Sequence, residues 1–133
     1  EAMNLLGQSY EAAGNREEAL SCLRRAIKAA PDYTIGYYDL AVILAKDKEK
    51  HGEAMECFEK YLSMEQDNIQ GISWALYSIA CIHAVAGRDD DALDLFEKAL
   101  EKGLRERGHI DKDRELDKLR RDPRFTEIMR KYF

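Results

Sequence analysis

Residues 3–31 read MNLLGQSYEAAGNREEALSCLRRAIKAAP, and they contain the phrase that decides the fold: Met3-x2-Leu6-Gly7-x2-Tyr10, then Ala19-x3-Leu23-x2-Ala26, then Pro31. The phrase returns twice. Tyr37-x2-Leu40-Ala41-x2-Leu44 leads to Ala54-x3-Phe58-x2-Tyr61, and Leu76-x2-Ile79-Ala80-x2-His83 leads to Ala92-x3-Phe96-x2-Ala99. Apolar residues three and four apart line one helix face, and a small residue in that line lets a second helix approach closely. Each copy therefore predicts a pair of antiparallel helices, with Gly7 against Ala19 and Ala26, Ala41 against Ala54, and Ala80 against Ala92 and Ala99.

The first halves step by 34 residues (Leu6 to Leu40) and then 39 (Leu40 to Ile79), and the second halves by 35 (Ala19 to Ala54) and 38 (Ala54 to Ala92). A unit of 34 with small insertions follows. One extra residue falls in the turn 46–52, and an excess of four lies between Tyr61 and Leu76, about one helical turn, which lengthens a helix without rotating its buried face. Tyr61 puts a ring where the other copies have Ala26 and Ala99, so looser or tilted packing is expected there. Gly14-Asn15 and Gly87-Arg88 read as helix ends, with Asn15 and Asp89 as caps of the helices that follow. The acidic run Asp89–Asp91 complements a positive helix N-terminus and reads as a helix start rather than a metal site.

The phrase Leu6-Gly7-x2-Tyr10…Gly14…Ala19-x3-Leu23-x2-Ala26…Pro31 closely resembles the tetratricopeptide repeat, with Met3 where that family usually has Trp. The second and third copies are poorer but recognisable. The resemblance covers about residues 1–102 and implies an all-α, right-handed superhelical stack of three helix-turn-helix repeats, at about 1–33, 34–67 and 68–102. It implies a protein-binding scaffold, and it leaves the ligand open, because one fold of this kind serves many unrelated partners.

Residues 103–133 break the phrase. Leu104–Ile110 reads as a loop, Asp113–Arg120 as a short helix with Leu116 and Leu119 on one face, and Pro123–Tyr132 as a second helix with Asp122 as N-cap and Pro123 at its first position. A stack of helix pairs must end in something that covers its last apolar face. Leu116, Leu119, Phe125, Ile128 and Met129 are the expected cover for the third repeat. The string Leu119-Arg120-Arg121-Asp122-Pro123-Arg124-Phe125 resembles the ending of many bacterial tetratricopeptide proteins, which implies a bacterial source and a natural C-terminus. Glu1 stands where an initiator Met is expected, with helical periodicity already running, so the chain reads as a piece of a longer protein.

Composition narrows the function further. Net charge is −5, with 9 basic and 17 acidic residues in 1–96 against 12 and 9 in 97–133. That surplus is too weak and too interleaved for a nucleic-acid footprint. No apolar run is long enough to span a bilayer, so no membrane insertion is expected; a cytoplasmic setting is, with any targeting signal lying upstream. Cys22, Cys57 and Cys81 are odd in number and include no CxxC, so they read as small buried or half-buried hydrophobes. His51, His83 and His109 lie far apart, and Asp111-Lys112-Asp113-Arg114-Glu115 fails as a calcium loop because Leu116 stands where the sharp turn needs Gly. Ser78, Cys81 and His83 share a helix, but offsets of two residues point to different faces. No enzyme activity, metal or cofactor is expected.

In the resembled family the first helix of each pair lines a concave groove. The matching positions are Asn4, Gln8 and Glu11, then Tyr38, Val42 and Ala45, then Trp74, Tyr77 and Cys81. Some relatives clamp a terminal carboxylate with cations in this groove; here the slots carry Asn4, Gln8, Asp39, Trp74 and Ser78, so an apolar or mildly basic segment suits it better. The leading expectation is a peptide or helix of a partner protein bound through Asn4, Gln8, Tyr38, Val42, Trp74, Tyr77 and Cys81. Two alternatives stand beside it: the aromatics pack under the C-terminal helices, or the open first helix or the aromatic face pairs with another copy to form a dimer or rod.

Overall fold

The computed structural model describes residues 16–133. Among them are seven α-helices: α1 Arg16–Ala29, α2 Thr34–Ala45, α3 His51–Met64, α4 Ile69–Val85, α5 Asp89–Glu101, α6 Arg107–Lys112 and α7 Pro123–Tyr132. Three 3-10 turns, Lys48–Lys50, Arg114–Leu116 and Leu119–Arg121, complete the described elements, and no strand occurs among them. The chain divides into two compact units at Glu65 and Gln66.

In the first unit α2 packs against both α1 and α3. The small residues of the repeated phrase sit at these contacts as expected: Ala19, Ala41 and Ala54 are wholly buried, as are Leu23, Leu44 and Phe58. Gly36 lets α1 come close, since a Cβ there would stand 3.3 Å from Cγ1 of Ile27. The extra residue of the 46–52 turn is taken up by the 3-10 turn, whose N-cap Asp47 accepts a hydrogen bond from the Glu49 backbone N–H at 3.0 Å. Tyr61 is not loosely packed: it is fully buried, edge-on to Tyr38 with ring centres 5.1 Å apart. The mismatch with Ala26 and Ala99 surfaces instead as a buried hydroxyl with no hydrogen-bond partner among the described residues.

The second unit is built on the pair α4 and α5. With 17 residues against 12 in α2, α4 takes up the inserted turn at its start, where Asn68 caps it by accepting from the Gly71 backbone N–H at 3.0 Å. Both helices of this pair end in the same way. Gly87 (φ 82°) and Gly103 (φ 112°) adopt the left-handed conformation, which a side chain would strain. The Arg88 and Leu104 N–H groups then reach back to the His83 and Ala99 carbonyls, and those of Gly87 and Gly103 to the Ala84 and Leu100 carbonyls. Asp89 is the first residue of α5 rather than its cap; that place falls to Arg88, while Asp89, Asp90 and Asp91 fill the first turn.

After Gly103 the chain differs from expectation. Residues 107–112 form α6 rather than a loop, and 113–120 form two 3-10 turns rather than a helix. The reason is tertiary: Ile110, Leu116 and Leu119 are all wholly buried in the core of this unit, and that packing outweighs the local weakness of Gly108 and the charged residues around it. The last helix starts as read, with Asp122 Oδ1 accepting from the Arg124 N–H at 3.0 Å and Pro123 in the first turn. Its Phe125 stacks on Phe96 with ring centres 4.9 Å apart and Ile128 is buried, so this segment covers the α4–α5 pair.

Candidate functional site

The places of interest are the stripes of α2 and α4 that carry Tyr38, Val42, Trp74, Tyr77 and Cys81. Leu40 and Ile79 occupy the same position in the repeated phrase, so Tyr38 corresponds to Tyr77, Val42 to Cys81, Ala45 to Ala84 and Ile35 to Trp74. Residues four and then three apart form one stripe along a helix. Behind each stripe the tyrosine ring leans on the equivalent phenylalanine of the following helix: Tyr38 on Phe58 at 5.8 Å, and Tyr77 on Phe96 at 6.3 Å.

On α2 the stripe is partly open. Val42 is 36% exposed, and Tyr38 and Ala45 are half-buried. Burial of the Tyr38 ring, followed by the neighbouring Asp39 carboxylate, raises its pKa above the ordinary tyrosine value.

On α4 the same stripe is covered by the chain itself. Tyr77, Cys81 and Ala84 are buried, at 3%, 4% and 1% exposure, in a core that includes Ile110, Leu116 and Leu119. Asp113 fixes the cover: its Oδ2 accepts from the Tyr77 hydroxyl at 2.5 Å and from the Cys81 thiol at 3.7 Å, and its Oδ1 accepts from the Glu115 N–H at 3.0 Å. Arg120 closes the turn by donating to the backbone carbonyls of Ile110 and Asp113 at 2.5 and 2.8 Å. His109 stands edge-on to Trp74 and Tyr77, at 5.1 and 5.6 Å between ring centres. Tyr77 and Cys81 therefore face the tail, not a solvent-filled groove, and offer no free surface to a partner. Trp74 stays partly exposed at the edge of the cover. Asn4, Gln8 and Glu11 lie outside the described residues.

The thiol and the phenol of this cluster both hold their protons tightly. Burial, then the charges of Asp113 and Glu115, pushes the Cys81 thiol well above its usual range, and burial, then Cys81 and the hydrogen bond to Asp113, does the same for Tyr77. The sulfur of Cys81 and one carboxylate oxygen each of Asp113 and Glu115 lie within 4.8 Å of one another. The Asp113 oxygen is already taken up by two donors, so the arrangement is knit by its own hydrogen bonds. All three cysteines are free thiols; Cys22 and Cys81 are buried and Cys57 half-buried, as read from the sequence.

A second opening lies beside Trp74. Ile69, Gln70, Ser73 and Trp74 of α4 and residues 102–106 line a shallow groove of about 360 Å³. Ile69 is 51% exposed at its rim. Sequence reading missed the role of Asp113 in holding the cover over α4. A signal existed, since Ile110, Asp113, Leu116 and Leu119 recur at intervals of three, but its partner Tyr77 lies 36 residues away.

No described helix is long and apolar enough to cross a membrane. Compared with known proteins, two segments match models of the tetratricopeptide repeat, residues 4–69 and residues 75–109. No curated protein gives a significant match to the chain. With the matched segments spanning most of the chain and the described helices packed in adjacent pairs, the chain belongs to the tetratricopeptide repeat family.

Proposed function

We propose that this chain is a non-catalytic binding module that takes a peptide or helix of a partner protein along the inner stripe of its helix pairs. Three repeats, at about residues 1–33, 34–67 and 68–102, form the binding part, and residues 103–133 form the cap. The family supports protein binding in general. The finer reading rests on one observation: the Tyr38–Val42–Ala45 stripe presents partly exposed apolar surface, whereas the equivalent stripe of α4 is filled by the chain's own tail. Trp74 with Ile69 offers a separate apolar edge within the second unit.

The area is modest. Burying a valine and half of a tyrosine stabilises a complex by about 2–4 kcal/mol gross, against a cost of about 4–15 kcal/mol for ordering a ligand. One short peptide is thus bound in the micromolar range or weaker, and tighter binding needs several stripes at once.

The test is affinity capture of partners by the full chain, compared with the Val42→Asp and Trp74→Ala variants. A partner lost from Val42→Asp, with the helical circular dichroism unchanged, is the expected result. A partner retained equally by both variants would remove the groove from the reading. Light scattering over a range of concentrations separates this from self-association, which would appear as a mass that grows with concentration and collapses in Val42→Asp.

A further inference from the structure

We draw no further inference here: the strongest candidate, the shallow groove beside Trp74 at the start of α4, is an unpartnered apolar edge whose lining mixes Lys102 and Arg105 with Glu106, and nothing in the structure shows what covers it.

Discussion

The stripes of α2 and α4 start from the same chemistry and reach opposite states. Each places a tyrosine over a buried phenylalanine and a small apolar residue one turn on, yet Tyr77 and Cys81 are enclosed while Tyr38 and Val42 meet solvent. What separates them is the 107–119 segment with its single well-placed carboxylate, not the helices. A repeat phrase therefore specifies how helices pair but not whether the face they leave over is open. That is decided by chain lying outside the phrase.

Substitutions can push this contrast hard. The largest effect is expected from Leu116→Ala, which hollows the cover at a wholly buried position and should cost about 2–5 kcal/mol. Trp74 is the sole tryptophan and lies in the second unit, so denaturant unfolding followed by its fluorescence reads that unit directly. A loss below about 0.5 kcal/mol would mean that the tail is not part of the core. Next comes Asp113→Ala, which strands the buried Tyr77 hydroxyl and Cys81 thiol and should cost about 1–3 kcal/mol. Maleimide labelling of Cys81, resolved by peptide mapping, should speed up in parallel; an unchanged labelling rate would show that the tail is held without its acid.

The same tyrosine-to-phenylalanine change should then have opposite signs in the two units. Tyr77→Phe removes a donor that is used and is expected to destabilise by about 1–2 kcal/mol, while Tyr61→Phe removes a buried hydroxyl without a partner and is expected to stabilise by about 1 kcal/mol. Melting temperatures that move in the same direction would break the distinction. The smallest effect concerns pH. Cys81 and Tyr77 both hold their protons above the ordinary range, so at alkaline pH the folded state binds more protons than the unfolded one, and stability falls as pH rises past about 8.5. Unfolding monitored at Trp74 should show this decline, and Cys81→Ala should flatten its first part.

What could be read in the sequence was what is locally encoded. The small residues Ala41, Ala54, Ala80 and Ala92 sit at zero exposure where the phrase put them, Gly87 takes the left-handed turn, and Asp122-Pro123 opens α7. Each signal acts within one or two helical turns of itself. The route of the tail was not legible, because Ile110 and Leu116 earn their burial against residues some 30 positions earlier, and short helices such as α6 persist only through such contacts. The residues read as groove divide along the same line: Tyr38 is half-buried and Val42 exposed, while Tyr77 and Cys81 are enclosed by a segment more than 30 residues away in sequence.

The Asp113 contact also sets a condition on lengthening the array at its tail end. A further helix pair spliced in after Glu101 would carry residues 107–119 away from α4, so Tyr77 and Cys81 would need cover from the added pair and the tail would need a tyrosine and a small thiol or similar residue on that pair to dock against. An engineer lengthening the array should therefore copy that tyrosine stripe into each new last unit, so that the existing tail finds a berth.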